Sequence, residues 1–426
     1  LAVQGSGSFS RDFSRFFSGV TLAATSIMAF LRSGRSALRL GLVLQLLATV
    51  AEVAACGSSS STGAVDASAP GPTTNDASMT GDGDADDAAD AAATDSDTPD
   101  SSSDAGSDAQ PVYDGATVEA GALTACRTTG TGAFSVPGTT CFNLTPVDVG
   151  EPAAGVNATA QQYAIRPGTT AAAPTTLLLF LIGSGGEPVD ALRPGPAENV
   201  YGAAVTGGNA VLGLAYDNTQ SINDDCGDTD ACYFATRQSV ILGTTEPGSA
   251  LTVTADEGIV DRTARTLRYL AASDPSGGWG AFLTTLDPAA PATQAIAWGN
   301  VIVSGHSQGG GHAAAIGKLF AVKRVVQLSS TCDAVHGVPA SWTDGSTGTW
   351  VTAPHGFLGF AAPTTITAGG ATGDTTCTFH AAIWANLGMA AANRMDDAAT
   401  CGVTGDTHGQ SLTCVDNYPA WVQLYE

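Results

Sequence analysis

The stretch Val301-Ile302-Val303-Ser304-Gly305-His306-Ser307-Gln308-Gly309-Gly310-Gly311-His312-Ala313 constrains the fold of this chain more than any other. A β-branched apolar run stops at Gly305, and a small-residue run of helical character over 313–321 begins just after Gly311. Between them Gly305-His306-Ser307-Gln308-Gly309 is a G-x-S-x-G match. A strand that becomes a helix within so few residues must hold the central serine in a strained backbone conformation. It also brings strand and helix so close that a Cβ at the flanking positions would collide with a neighbour, so glycine stands there. The hydroxyl is then exposed above the sheet, beside a helix N-terminus whose N–H groups favour negative charge. Ser307 is therefore the candidate nucleophile. With 52 glycines in the chain the pattern alone is weak; the strand before it and the helix after it give it weight.

The surrounding chain alternates in the same way. Residues 176–182 form a continuous apolar run, which predicts a buried parallel strand ending in Gly183-Ser184-Gly185-Gly186. A helix is expected over 197–207, a strand over 210–216, and a helix over 259–272 with Arg262, Arg265 and Arg268 off its apolar face. A strand over 324–329 and a helix over 379–392 follow. Such alternation predicts an α/β fold around a parallel sheet with right-handed crossovers.

The first part of the chain reads differently. Residues 1–27 carry no fold signal, and Met28 is a candidate start. Arg32, Arg35 and Arg39 then precede an apolar run over 40–50, which is of signal-peptide length and too short to span a bilayer. Val53-Ala54-Ala55-Cys56-Gly57 resembles the lipobox of bacterial lipoproteins, which implies that Cys56 is lipidated and becomes the mature N-terminus. Glu52 is unusual in that setting, and the alternative is an ordinary signal peptide with an incidental cysteine. Residues 57–115 are almost all Ser, Ala, Asp, Gly, Pro and Thr, with Tyr113 as the one aromatic, 13 aspartates between Asp66 and Asp114 and no Lys or Arg. Such a segment cannot bury enough apolar surface to offset its ordering entropy, and is expected to be a disordered, self-repelling tether. The spacing and glutamate of a calcium-binding EF-hand are absent from it. The expected layout is a signal region over 1–56, a linker over 57–115 and one folded domain over 116–426.

Net charge is −24 for the whole chain and −14 from Ala116 onward, where 25 acidic residues face 11 basic ones. That argues against a nucleic-acid partner, which would need a basic footprint. It suits an exported protein of the cell envelope or the extracellular space, in contact with a membrane through its lipid anchor only. Setting Cys56 aside leaves eight cysteines, and an even number in an exported domain points to disulfides. The local pairs 126–141, 226–232 and 401–414 are the simplest set, with 332–377 by elimination, although connectivity stays open at this level. There is no C-x-x-C and the histidines are not at ligand spacing, so no metal is expected. The glycine-rich loop at 183–186 lacks a Walker lysine and the G-x-G-x-x-G pattern, so no nucleotide cofactor is expected either.

From about 176 to 410 the chain resembles the α/β-hydrolase superfamily, and its Gly-His-Ser-Gln-Gly turn looks like that of secreted bacterial lipases and esterases. The resemblance implies a mostly parallel central sheet flanked by helices. It also implies hydrolysis of carboxylic esters, from small molecules to lipids or polyesters, through a Ser-His-Asp triad and an acyl-enzyme. The superfamily order is serine, acid, histidine. All six histidines lie between 306 and 408. The resemblance places the base at His408, in Gly405-Asp406-Thr407-His408-Gly409. His306 lies inside the turn, His312 and His380 fall on helices, and His336 and His355 precede the better acid candidate. That acid is Asp374, just before the helix preceding His408; Asp333, directly after the 324–329 strand, is the alternative, and Asp406 is too close to His408. For the oxyanion, the expected donors are the Gln308 N–H and the loop at Ser184, with Gly185 next. Two other readings remain: a binding module on an inactive hydrolase fold, which an intact Ser307–His408 pair argues against, and a serine peptidase of the same fold.

Overall fold

The computed structural model describes residues 120–150, 160–168, 173–363, 365–367, 370–397, 401 and 407–426. Met28, the 40–50 run, Cys56, the 57–115 segment and Asp406 lie outside the described residues.

The apolar run at 176–182 supplies the centre of the molecule. Strand β4 (Leu177–Leu181) is buried along its whole length, as a strand covered on both faces must be. Nine strands form one sheet in the order β1-β2-β3-β5-β4-β6-β7-β8-β9. They are β1 (Thr124–Ala125), β2 (Thr139–Leu144), β3 (Gln162–Pro167), β4, β5 (Ala210–Leu214), β6 (Val301–His306), β7 (Arg324–Leu328), β8 (Leu358–Ala361) and β9 (Arg394–Asp396). From β5 to β9 every pairing is parallel, whereas β1, β2 and β3 are added antiparallel at one side. This is the α/β-hydrolase fold.

Register sets up the site. Leu177 pairs with Val301 and Leu181 with Gly305, so the loops that follow β4 and β6 leave the sheet side by side at its C-terminal edge. Beyond β4 the chain goes to β5 on one side and later to β6 on the other. In open α/β sheets, ligands bind where the order reverses in this way.

Neighbouring residues of a strand face opposite sides of a sheet, and β6 shows which helices cover which. Ser304 Oγ lies 3.0 Å from Tyr425 Oη, on the face covered by α6 (Tyr418–Tyr425) and α1 (Val200–Thr206). Tyr201 of α1 packs edge-to-face on Phe180 there. Gly305 instead meets α4 (Gln308–Leu319), which packs beside α2 (Asp230–Leu242), itself beside α3 (Ile259–Ser273).

Several elements depart from the sequence-based expectation. Helix α4 starts at Gln308, directly after the serine, and not beyond Gly311. Its first turn lies so close to its neighbours that side chains are excluded: a Cβ on Gly309 would sit 2.1 Å from the Leu181 carbonyl oxygen, and one on Gly310 2.5 Å from Ser330 Cβ. The helix expected over 379–392 is α5 (His380–Asn386). Gly388, at φ 73°, turns the chain out of the helix, and the remainder leads into β9. Helices α2 and α6 and the strands β2, β3, β8 and β9 were not anticipated. The disulfides join Cys126–Cys141, Cys226–Cys232, Cys332–Cys377 and Cys401–Cys414, the pairs that proximity and elimination suggested.

Candidate active site

Ser307 stands between β6 and α4 with φ 54° and ψ −126°, a region that a residue with a side chain rarely adopts. The backbone around it holds it there. Its N–H donates to Leu328 O at 3.0 Å, and its carbonyl accepts from Ser330 Oγ at 2.6 Å and from Gly310 N at 3.0 Å. Strain of this kind persists only when several neighbours fix the same residue. The loop after β4 closes over the serine from the other side. A methyl on Gly183 would lie 2.8 Å from Ser307 Cβ and 3.3 Å from Oγ, so only glycine allows the loop backbone to approach the hydroxyl.

His408 occupies a turn before the short helix Gln410–Thr413. Its Nδ1 lies 3.0 Å from Asp374 Oδ1 and 3.2 Å from Oδ2. To donate to a carboxylate, Nδ1 must carry the proton, which leaves Nε2 as the basic nitrogen. The two loops are also joined through the backbone, where Thr407 N–H donates to Gly373 O at 3.1 Å. Asp374 is fully buried. Burial alone would raise its pKa, but the hydrogen bond and charge of His408, the Cys377 N–H at 2.8 Å and the nearby His380 outweigh this and lower it. His380 itself donates from Nδ1 to Cys377 O at 2.7 Å and stands 3.8 Å from Asp374. It braces the turn that carries Asp374.

Ser307 and His408 line one cavity of about 460 Å³, together with Gly183, Ser184 and Gln308. Gln308 is the first residue of α4, where main-chain N–H groups lack an intrahelical partner. Its side chain ties the two loops together, because Oε1 accepts from Ser184 Oγ at 2.8 Å and from Ile222 N at 3.0 Å. A serine, a base oriented by a carboxylate and amides grouped near the serine can together support nucleophilic acyl transfer.

Two of the candidates have other partners. Asp333 does not face His408. Its carboxylate pairs bidentately with Arg237, Oδ2 accepting from Nε at 2.8 Å and Oδ1 from Nη2 at 2.5 Å, and Oδ2 also accepts from Trp342 Nε1 at 2.8 Å. The structure places Asp374, and not Asp333, beside His408. The Gly185 N–H is taken up by Asn218 O at 2.7 Å. Ser184 and Gln308 are the positions left facing the cavity.

Other contributors gave no signal in the sequence. Arg237 also donates to Gln308 O at 3.1 Å, joining the buried ion pair to the turn after Ser307. Its partner is 96 residues away, so local spacing could not pair them. His306 donates from Nε2 to His408 O at 3.1 Å, and the two rings lie 4.8 Å apart. Burial lowers its pKa to about 4, helped by the charge of His408, so it is neutral and supports the His408 backbone. His312 is fully buried, edge-to-face on Tyr216, and burial keeps it neutral.

No family model matches the chain, and no curated protein matches it. Among solved structures it is similar to an esterase from the bacterial hormone-sensitive lipase family, at 16% identity over 50% of this chain and 47% of that one, with a TM-score of 0.23. It is similar to Esterase B from Lactobacillus rhamnosis at 15% identity over 47% and 51%, with a TM-score of 0.24. A tributyrin phosphonate-inhibited structure of that esterase aligns at 12% identity over 68% and 88%, with a TM-score of 0.32. The chain spans about half the length of the first two. With every TM-score below 0.5, these likenesses say nothing about what this chain acts on.

Proposed function

We propose that this protein is a serine hydrolase that cleaves carboxylic esters through an acyl-enzyme. Ser307 is the nucleophile, His408 the base, Asp374 the acid that orients it, and the Gln308 and Ser184 main-chain N–H groups the oxyanion donors. The observation that carries the reading is that His408, paired with Asp374, lines the same cavity as a serine in a strained strand-to-helix turn. Ser307 Oγ attacks the ester carbonyl carbon while its proton passes to His408 Nε2, and the carbonyl electron pair moves onto oxygen. The tetrahedral intermediate collapses, the alkoxide leaves with the proton from His408, and the acyl group stays on Ser307. Water, deprotonated by the same Nε2, then releases the acid. Asp374 stays ionised throughout and stabilises the imidazolium.

A cavity of about 460 Å³ suits a small ester better than a long-chain triglyceride. Four disulfides favour an oxidising compartment outside the cytoplasm. With the lipobox-like Cys56, they support a domain over 116–426 tethered by the 57–115 segment to a lipid anchor. The test is a panel of p-nitrophenyl esters and anilides of increasing acyl length with the parent chain and Ser307→Ala. Ester hydrolysis that favours short acyl groups and vanishes in Ser307→Ala is expected. Preference for anilides would make it a peptidase, and no turnover by the parent would remove the enzyme reading. Mass spectrometry of the mature protein should find a lipidated Cys56; an unmodified cysteine would remove the anchor.

A further inference from the structure

The loop that brings Gly183 against Ser307 contains three glycines in four residues, Gly183-Ser184-Gly185-Gly186. Such a chain has little preference for one shape. Its shape here is set from outside by the segment that follows β5. Tyr216 Oη donates to Ile182 O at 2.5 Å. Asn218 Nδ2 donates to Gly183 O at 2.5 Å and to Gly186 O at 2.9 Å, and Asn218 O accepts the Gly185 N–H at 2.7 Å. Four hydrogen bonds from Tyr216 and Asn218 thus engage Ile182, Gly183, Gly185 and Gly186. Ser184, the residue skipped, is the one whose N–H the proposed reaction needs. Both template residues are buried, so they hold the loop without lining the cavity themselves.

We infer that Asn218, assisted by Tyr216, is a positioning residue of the reaction: it fixes the peptide plane at Ser184 so that the N–H meets the oxyanion. This rests on the esterase reading above. Asn218 touches no reacting atom; it acts by spending both of its amide hydrogens on the two carbonyls that flank the Ser184 turn. A donor that must point at developing charge loses its value when it is misplaced by a fraction of an ångström. Removing the template should therefore weaken transition-state binding and leave ground-state binding nearly unchanged.

The experiment compares the full-length parent with Asn218→Ala, the isosteric Asn218→Asp and the milder Tyr216→Phe. Each is assayed on p-nitrophenyl acetate and with two inhibitors. A trifluoromethyl ketone adds Ser307 Oγ to its carbonyl carbon, gives the serine proton to His408 and places a tetrahedral oxyanion in the site. The corresponding alcohol makes no oxyanion. Asn218→Ala and Asn218→Asp are expected to lower kcat about 10- to 100-fold with KM within about threefold. The Ki of the trifluoromethyl ketone should rise by the same factor, and that of the alcohol should not move. Tyr216→Phe should show the same pattern with a loss of about threefold or more, and it carries the test if the Asn218 variants do not fold. A purely structural role would lower Tm and leave kcat per folded molecule at the parent value. That result, or a loss confined to KM, overturns the inference while the esterase reading stands. If the parent hydrolyses no ester, the esterase reading fails and the inference fails with it.

Discussion

Replacing Asp374 and Asp333, each fully buried, by asparagine should separate catalysis from folding. Cys377 N–H donates to Asp374 Oδ1, so in Asp374→Asn the amide oxygen must stay at that position. The new NH2 group then occupies the Oδ2 site, 3.2 Å from His408 Nδ1 and 3.8 Å from His380 Nδ1. His408 Nδ1 then faces this donor as well as the amide oxygen at 3.0 Å, so the Nδ1–H tautomer is no longer enforced; the Nε2–H form cannot accept a proton from Ser307, and the charge that stabilises the imidazolium is gone. The side chain has the same size, so Tm should change little, while kcat falls by about 10⁴-fold. Asp333→Asn does the opposite. It leaves Arg237, whose side chain is 2% exposed, without its counter-charge. Removing one partner of such a buried pair costs about 3–5 kcal/mol, or a drop in Tm of roughly 5–15 °C for a domain of this size. Turnover per folded molecule should stay within about tenfold of the parent. The assay is p-nitrophenyl acetate hydrolysis, normalised to the folded fraction from thermal melts. Reversed outcomes would make Asp333 the acid, and a loss under about tenfold in both variants would refute a carboxylate-oriented base.

Three further outcomes follow from the geometry. Gly309→Ala should destabilise by more than about 3 kcal/mol in a urea melt, because its Cβ would stand 2.1 Å from a carbonyl oxygen of β4 that cannot move aside. Stability should fall as pH drops from 6.5 to 4: the unfolded chain protonates His306 near 6.5, whereas the buried ring resists protonation until about 4, a difference of about 3 kcal/mol. Denaturant melts of His306→Gln across that window should show a correspondingly shallower fall. Replacing Cys332 and Cys377 together by Ser should lower stability by up to about 4 kcal/mol, from the 45-residue separation the bridge closes. It should lower kcat as well, because the bridge anchors the turn whose Cys377 main-chain N–H holds Asp374.

The parallel half of the fold was legible because its signal is local. The unbroken apolar run of β4 and the glycine-flanked Ser307 each declare a structure within a dozen residues. The antiparallel strands β2 and β3 mix polar and apolar residues and hold no continuous apolar run. Helix α2 was missed because its buried face includes Thr236, Arg237 and Ser239, so no apolar period marks it. The same limit applies at the site. Ser307 has a motif, whereas the choice between Asp374 and Asp333 depends on which one meets His408 and which meets Arg237. That the Gly185 N–H meets Asn218 O is not legible either, because Asn218 sits on a different strand connection.

The central claim is that Ser307 is an activated nucleophile, and covalent labelling tests it most directly. The purified chain would be treated with a fluorophosphonate, which transfers its phosphonyl group to an activated serine with loss of fluoride. Intact-mass and peptide mass spectrometry would then locate the adduct. The account predicts one phosphonyl group per chain, on Ser307, with ester hydrolysis lost in step with labelling and neither reaction seen in Ser307→Ala. No adduct on the folded parent, an adduct on another residue, or full hydrolysis by Ser307→Ala would contradict it.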